Sequence, residues 1–547
     1  PCEDEIVQLL RLIYVQVLDV EQDTVGEREA VHLLRTVLQN PNEVAPAWAT
    51  LISCCASLAA NQSGAKLPDL QKMLLSFGFT LKIPSSFSRD VDRLRNYSRT
   101  VLDALKSLAV IRTRHSTVKI KRPVSEALRQ VVEQGSILVI GDPGSGKSAV
   151  ISDLVEFFAE QKRDFVFLAV DRIEAGSLSS LRREIGIDHE LVDILDNWPG
   201  TQPAFVVIDA LDAARGDVAQ QMILDLIRVI TSRKSRWRVV ASIRRYDLRN
   251  SHDLPYLFKG EPPIEEFCDP GFRLVRHLNI PPKLSEDELN QLEAQDLELW
   301  SLYTGVDQQY RDLLKVPFNL RLLAEIAHTG EAVDEIKSIR TRLELIDRYW
   351  MSRVIRRDGR GDAREVILKA ACEKMLEAKT LRIDRFKVVT PGNSQDLDDL
   401  LKNQVLVEWQ PNMASAADRY TLAFSHNALF DYAVARLLLR GDRKHLVSLF
   451  HDHSELVLIA RPSLDLHFRH VWESDSTRTE FWKLVLEVFQ KDDVPEIVKI
   501  IGPSVAAEVA KELTDLQVLC SALFDADHSV RKYAAQALKH LCGAALT

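Results

Sequence analysis

The stretch LVIGDPGSGKSAV, residues 138–150, decides the fold of this 547-residue chain. Its spacing is G-x-x-x-x-G-K-S, with Gly141, Gly146, Lys147 and Ser148 in the fixed positions. The apolar strand SILVI precedes the glycines, and the helical stretch KSAVISDLVEFFAEQ follows them. Backbone N–H groups in such a turn point at a phosphate, and the positive end of the helix dipole adds to the attraction. The motif therefore predicts a phosphate-binding loop.

This loop predicts a bound nucleotide with Mg²⁺. Lys147 is expected at the β- and γ-phosphates, and the Ser148 hydroxyl is expected to bind the metal ion. The residues expected to contact the nucleotide here are Gly141, Pro143, Gly144, Ser145, Gly146, Lys147, Ser148 and Ala149.

Short apolar strands alternate with helical stretches from about residue 125 to residue 280. The strands are SILVI, DFVFLAV, AFVVIDA and WRVVASI. Apolar strands of this kind, buried on both faces, predict a parallel sheet in a doubly wound α/β domain. We predict a multidomain chain with a helical N-terminal region, 1–124, and the α/β domain, 125–280. A small helical domain, 281–355, a strand-containing unit, 356–440, and a helical region, 441–547, complete it.

Charged residues follow two of these strands directly. Asp209 ends the strand AFVVID and is expected to hold Mg²⁺, partly through water. Asp212 is placed to orient a water molecule. Arg244 ends the strand WRVVASI and is expected to contact a γ-phosphate, with Arg245 as the competing candidate. These three residues, Asp209, Asp212 and Arg244, are the predicted catalytic group.

Composition excludes several other classes of protein. The net charge of −9 argues against a surface that binds nucleic acid through its phosphates. Seven scattered cysteines without a C-x-x-C pair favour reduced thiols in a cytoplasmic protein. No apolar run is expected to reach the roughly 20 residues that a membrane span requires. The histidine pairs HDH, 451–453, and HFRH, 467–470, lack a third clustered ligand and are expected on helix surfaces.

Five motifs in this order resemble the STAND class of signalling NTPases, close to NACHT proteins and to bacterial antiphage, Avs-type, STAND proteins. They are the phosphate-binding loop, VVIDALD, the arginine-ended strand, LLKVPFNLRLLAEI and LAFSHNALFDYAVARLLL. The resemblance implies that Pro317 packs on the adenine of ATP or ADP and that His426 contacts the β-phosphate. It also implies a winged-helix unit over 356–440, while DADHSVRKYAAQALKHL near the C-terminus resembles half of a HEAT repeat.

The resemblance further implies a nucleotide-controlled switch. ADP holds a closed monomer, and ATP drives homo-oligomerisation after the C-terminal repeats bind a protein ligand, such as a phage protein, in antiviral defence. Nothing in residues 1–125 has the pattern of an effector enzyme, so the effector is expected upstream of Pro1. Membrane binding and direct binding of nucleic acid are not expected.

One position departs from the STAND pattern. Ala213 stands where relatives often carry an acidic residue, and loss of such a carboxylate typically slows proton transfer by ~10²–10⁴-fold. Slow ATP hydrolysis is therefore expected. Two other interpretations stay open: an AAA+-like DNA loader with a winged helix, against which the acidic stretch DLDDLLKNQVL counts, and a helical-repeat scaffold that nucleotide only stabilises.

Overall fold

The chain forms two compact units, one of residues 1–94 with 187–203 and one of residues 95–186 with 204–547. A computed structural model describes the following residues: 24–65, 67–81, 85–106, 109–113, 116–173, 177–214, 217–233, 235–329, 333–409, 420–440, 456–491 and 494–545. The first unit thus includes residues 187–203, which lie inside the range predicted for the α/β domain. The five domain ranges inferred from the sequence stay predictions.

Helices build the first unit, as its sequence pattern predicts. Its helices are Val25–Val37, Val44–Ala60, Leu67–Ser76, the beginning of Ser85–Lys106, and Leu191–Asp196. Apolar residues at helical spacing form its core, which contains Leu34, Leu38, Val44, Ala47, Leu74 and Leu81. The side chain of Thr24 caps the first helix by accepting a hydrogen bond from the amide of Glu27.

One helical stretch of the first unit is long and apolar enough to cross a membrane. Pro41–Ala60 spans 20 residues with a mean hydropathy of 1.3. On length and composition, the expectation that no such segment occurs is wrong for this stretch. A single helix of this kind is weak evidence for a membrane, because a core helix of a soluble protein or a signal sequence can be equally long and apolar.

Within the described residues, ten strands belong to the second unit. They are β1 (Ile111–Arg112), β2 (Thr117–Val118), β3 (Ile137–Gly141), β4 (Phe165–Ala169), β5 (Ala204–Asp209), β6 (Trp237–Arg244), β7 (His277–Asn279), β8 (Arg382–Asp384), β9 (Leu406–Trp409) and β10 (Thr421–Phe424). Strands β1 and β2 form a short antiparallel hairpin.

A five-stranded parallel sheet in the order β4-β5-β6-β3-β7 confirms the predicted α/β domain. Residues of β3 and β5 are buried throughout, as strands covered on both faces should be. After β3 the chain runs to β4 at one edge of the sheet, and after β6 it passes β3 to reach β7 at the other edge. Ligands bind at the carboxyl ends of strands where such a change of direction occurs. In register, Gly141 pairs with Arg244 and Ala169 pairs with Asp209, so these carboxyl ends are level.

Helices surround the sheet and continue beyond it. Those up to the end of β7 are the last part of Ser85–Lys106, Pro123–Val131, Lys147–Glu160, Leu178–Ile185, Asp217–Ser232, Arg245–Asn250 and Leu254–Leu257. Those that follow β7 are Glu286–Gln295, Leu297–Tyr303, Gln308–Leu314, Pro317–Ala327, Val333–Lys337 and Arg342–Trp350. The first of the second group begins with a capping box, since the side chains of Ser285 and Glu288 each accept a hydrogen bond from the other's amide.

A second, three-stranded antiparallel sheet in the order β8-β10-β9 follows. The helices Gly361–Glu377, Ser394–Lys402 and Asn427–Val434 accompany it. The segment 356–440 thus contains strands, as predicted, and the winged-helix assignment stays a prediction. The chain ends in the helices Leu456–Ser474, Thr479–Gln490, Glu496–Val509, Gln517–Ala522 and His528–Ala545.

Candidate functional site

The glycine-rich turn joins β3 to the helix Lys147–Glu160. Gly144 and Gly146 have φ angles of +84° and +94°, which only glycine adopts without strain. A side chain at Gly141 would come within 2.8 Å of the Ser145 hydroxyl oxygen, so glycine is required there as well. The Lys147 ammonium donates hydrogen bonds to the carbonyl oxygens of Gly141, at 2.9 Å, and Asp142, at 3.1 Å. Its charge therefore lies over the mouth of the loop.

The predicted magnesium ligands Ser148 and Asp209 lie together. The Ser148 hydroxyl donates a hydrogen bond to the Asp209 carboxylate, and the Ser242 hydroxyl donates a second at 2.5 Å. Asp209 is only 2% exposed, and burial raises its pKa to about 6. Ala210, next along the chain, has a φ of +58° and donates its amide to the Ser242 oxygen at 2.8 Å. A divalent cation placed between hydroxyl and carboxylate would stabilise the ionised form of Asp209.

The other two predicted catalytic residues bind each other. Arg244 Nε lies 2.6 Å from an Asp212 carboxylate oxygen, and both side chains are largely buried. Ala213 is buried beside them at 8% exposure. The competing candidate, Arg245, pairs instead with Asp269 at 2.7 Å. Asp212 and Arg244 thus form an ion pair at the sheet edge where both were predicted to act.

Pro317 begins a helix that closes against the glycine turn. It is the first residue of Pro317–Ala327, a position that suits proline because its missing N–H has no helical partner. A Cβ atom at Gly146 would lie 3.8 Å from the Pro317 ring. The amide of Phe318 donates to the Gly144 carbonyl at 3.3 Å. The structure therefore places the Pro317 ring beside the phosphate-binding loop, and its contact with adenine stays a prediction.

His426 reaches the same place from the segment between β10 and the helix Asn427–Val434. Its ring stacks on Phe318 with centroids 4.1 Å apart. Its Nδ1 accepts the amide of Ala428 at 3.0 Å, and the residue is the N-cap of the helix. Burial holds its pKa well below the usual value, and Arg321 and Arg342 add to the effect. The ring is therefore neutral with its proton on Nε2, which makes Nε2 a hydrogen-bond donor.

A cavity of about 870 Å³ contains all of these groups. That volume lies within the range of nucleotide-sized sites, roughly 300–1,000 Å³. Its apolar wall includes the side chains of Ile111, Val118, Ile120, Leu254, Leu284 and Pro317. Lys147 and His426 line the same cavity. Apolar surface together with groups that can donate hydrogen bonds to phosphate fits a nucleoside phosphate with Mg²⁺.

Several residues of this cavity were not predicted from the sequence. Asp171 follows β4 and lines the cavity, and its Oδ1 has no hydrogen-bond partner among the described residues. Arg122, 9% exposed, donates to the carbonyl of Ser145 at 2.6 Å and pairs with Glu288 at 2.8 Å, which supports the loop from behind. Arg342 also lines the cavity.

The histidine pairs do not form a metal site in the part of the chain that is described. No group of three or more His, Cys, Asp or Glu side chains there could hold a metal ion. His467 is 7% exposed, so the predicted surface position is wrong for this residue. Its burial lowers its pKa to about 4. The pair HDH, 451–453, lies outside the described residues.

Comparisons with known proteins find distant similarity only. No protein-family model matches the chain. Over 171 residues it is 22% identical to the signal recognition particle receptor FtsY of Bacillus subtilis (strain 168), covering 28% of this chain and 51% of the receptor. The chain thus spans about half the length of the curated relative that it matches.

Three solved structures show weak likeness. A Walker-type ATPase of Pyrococcus abyssi has a TM-score of 0.27 and 13% identity, over 57% of this chain and 95% of that chain. The ORC2 protein of Aeropyrum pernix in its ADP form has a TM-score of 0.28 and 12% identity, over 58% of this chain and 93% of that chain. Drosophila ORC bound to DNA has a TM-score of 0.23 and 11% identity, over 58% of this chain and 95% of that chain. Such scores do not carry an argument about the whole arrangement. The strand order, the glycine turn and the contact between Ser148 and Asp209 are themselves those of a P-loop nucleotide-binding fold.

Proposed function

We propose that this protein is a STAND-type signalling ATPase that works as a nucleotide-controlled switch. Mg²⁺-ADP holds a closed monomer, and exchange for ATP allows homo-oligomerisation. One observation carries the proposal: His426, from the segment after the second sheet, stacks on Phe318, whose amide contacts Gly144 of the phosphate-binding loop. A bound nucleotide would therefore be contacted by both modules, which ties their relative position to the nucleotide.

Further contacts support a closed arrangement. Arg382 of β8, 3% exposed, donates to the carbonyl oxygen of Arg172 and to Glu184 at 2.8 Å, and both of these belong to the α/β domain. From the C-terminal helices, the Arg461 guanidinium lies 3.5 Å from the centre of the Tyr246 ring, two residues beyond Arg244. The segments that follow the α/β domain thus lie against its nucleotide edge. Opening the molecule must break these contacts.

The chemistry at the cavity supports a switch more than a rapid ATPase. Asp212 is paired with Arg244, and Ala213 supplies no second carboxylate. A general base typically contributes ~10²–10⁴-fold in rate, so its absence leaves ATP in place for longer. Slow hydrolysis suits a protein that changes state once per signal.

The remaining parts of the proposal concern the outer modules. The segment 356–440 acts as a winged-helix unit that carries His426. The helices of 441–547 belong to a HEAT-like array that binds a protein ligand, of which a phage protein is an example. Oligomerisation brings copies of an effector together in antiviral defence, in the cytoplasm.

A DNA-loading ATPase of the AAA+ type fits the sheet and the loop equally well. The helix Ser394–Lys402, which would face DNA in a winged helix, argues against it. Its nine residues include three aspartates and one lysine. Asp396 pairs with Arg360 at 2.8 Å and Asp399 with Arg364 at 3.0 Å, so the acidic side chains stabilise this segment itself. DNA phosphates would meet few cations on this helix.

Identification of the bound nucleotide tests the proposal. The full chain is purified from cells, its nucleotide is extracted and identified, and its mass in solution is measured with ADP and with ATP. We expect co-purified ADP and a monomer, and complete loss of nucleotide in Lys147→Ala. A wild-type protein that carries no adenine nucleotide and binds none when it is added would contradict the proposal. Tight, salt-sensitive binding of duplex DNA would favour the AAA+-type alternative.

A further inference from the structure

Four cationic side chains that line the same cavity act electrostatically on the imidazole of His426. Lys147, Arg244, Arg321 and Arg342 each oppose its protonation. Cations collected in a buried site repel one another, and each loses hydration, so such a group is unfavourable until anions balance it. The protein's own groups balance three of the four.

Each of these three has partners in the protein. Lys147 donates to backbone carbonyls of the loop. Arg244 forms the 2.6 Å ion pair with Asp212, and Arg321 Nε lies 2.9 Å from Glu325 Oε1. These charges are compensated within the protein.

Arg342 differs from the other three. It is the first residue of the helix Arg342–Trp350 and lines the cavity. Its Nε is shielded from solvent without a hydrogen-bond partner, and no ion pair within the described ranges includes its guanidinium. Asp431 and Asp465 attract it from a distance, but burial is the larger effect and lowers its pKa. Asp465 itself accepts a hydrogen bond from Arg469 Nε at 2.7 Å, so its charge is already paired.

Arg342 is connected to the phosphate-binding loop through contacts with one residue, Phe318. Its guanidinium carbon is 5.8 Å from the centre of the Phe318 ring. The same ring stacks on His426 and belongs to the residue whose amide contacts Gly144. Arg342 and the imidazole of His426 therefore both lie against the side chain of the residue that contacts the loop. A planar guanidinium binds two phosphate oxygens at once, which an imidazole cannot do.

We propose that Arg342 binds the β-phosphate of ADP in the closed state, beside His426, and so selects nucleoside diphosphates over monophosphates. This rests on the proposed function, since it requires that the cavity hold a nucleotide. Without a nucleotide, Arg342 is a half-buried charge that has no ion-pair partner among the described residues, and its removal should not destabilise the fold. With ADP bound, the same side chain contributes charge-assisted hydrogen bonds.

The test compares Arg342→Met and Arg342→Lys with the wild-type full chain. Arg340→Met is the matched control, because Arg340 lies two residues away, is 39% exposed and pairs with Asp307 outside the cavity. Nucleotide is removed by dialysis against EDTA. Titration calorimetry with Mg²⁺ gives dissociation constants for ADP and for AMP, and scanning calorimetry without nucleotide gives the unfolding midpoint.

For Arg342→Met we expect ADP binding to weaken by about 10- to 100-fold, from the known strength of hydrogen bonds to charged groups. AMP binding should stay within about twofold. The unfolding midpoint without nucleotide should be unchanged or higher, where a structural role would lower it. Arg342→Lys should recover part of the ADP affinity, and Arg340→Met should behave as wild type.

Two results would overturn the assignment. One is ADP binding by Arg342→Met that stays within twofold of wild type. The other is equal weakening of ADP and AMP together with a lower unfolding midpoint. If Lys147→Ala loses ADP while Arg342→Met keeps it, the role of Arg342 alone is refuted. If the wild-type chain itself binds no ADP, the proposed function fails first.

Discussion

Two substitutions at His426 separate its two roles. Its Nδ1 accepts the amide of Ala428 at 3.0 Å and so caps the helix Asn427–Val434, while its protonated Nε2 is left to donate to a phosphate. His426→Ala removes both interactions. His426→Asn keeps an oxygen for the cap, because asparagine is among the best N-cap residues, but its amide is too short to replace Nε2.

The structure sets the size of each effect. Loss of an N-cap costs about 1 kcal/mol, which should lower the unfolding free energy of His426→Ala but not of His426→Asn. A hydrogen bond to a charged phosphate oxygen contributes about 1.5–3 kcal/mol, equivalent to a roughly 10- to 150-fold weaker dissociation constant for ADP. That loss should occur in both variants. The hydrogen bond from His426 to phosphate supplies only part of the free energy that stabilises the closed state, since a full shift of population needs roughly 5 kcal/mol.

The protonation state of His426 fixes the pH range for this experiment. Its pKa in the folded protein is well below normal, chiefly because of burial. The unfolded chain gains this proton near pH 6.5 and the folded protein does not, so His426 lowers stability only as the pH falls below about 6.5. Between pH 7 and pH 8 the ring is neutral, and its contribution to ADP binding should not change with pH.

Three measurements complete the test: titration calorimetry with ADP, urea unfolding without nucleotide, and mass in solution with ATP. We expect both variants to bind ADP more weakly and to populate oligomers with ATP more than wild type. Only His426→Ala should lose stability. If His426→Asn binds ADP as wild type does, the imidazole does not contact phosphate. If nucleotide content and oligomeric state are also unchanged in His426→Ala, His426 does not stabilise an ADP-bound closed state.

Other variants probe the loop, the module contact and the buried histidine. Gly144→Ala places a Cβ at a φ of +84° and 3.0 Å from the Phe318 side chain, so ADP binding by calorimetry should weaken more than about tenfold. Arg382→Gln leaves Glu184 without its buried partner and should lower the free energy of unfolding in urea by about 3 kcal/mol, of which the double variant with Glu184→Gln should restore part. His467 has a folded pKa of about 4, below the unfolded value, so stability should fall by about 3 kcal/mol as the pH is lowered from 6.5 to 4. A stability curve of His467→Leu as steep as that of wild type would contradict this.

The central sheet was predictable because each of its four longer strands is a continuous apolar run, a pattern that both-face burial requires. Strand β7 was not predicted, since its three residues HLN carry too little pattern. The hairpin of β1 and β2, which supplies Ile111 and Val118 to the apolar wall, has strands of only two residues. Its position depends on tertiary contacts, such as those of Thr113 and Ser116 with Asp296, 180 or more residues away.

The site was predictable to the extent that a motif fixes backbone position. Gly144, Lys147, Ser148 and Asp209 lie where a loop and a strand end must place them. Arg342 could not be found in this way, because an arginine at the start of a helix is usually solvated. Its importance comes from the absence of a carboxylate partner among the described residues, and that property belongs to the folded cavity.

The ion pair of Asp212 and Arg244 shows what spacing cannot reveal. The sequence places both side chains at the same sheet edge, but their pairing depends on Ala210, whose left-handed backbone turns the chain after β5. Burial opposes the charge of Arg244, while Asp212, Asp431 and Asp247 all favour it, and its pKa is raised overall. Asp431 belongs to the helix capped by His426. Under the proposed function, a γ-phosphate that recruits Arg244 would have to compete with Asp212 and with the electrostatic attraction of Asp431, whereas ADP would not.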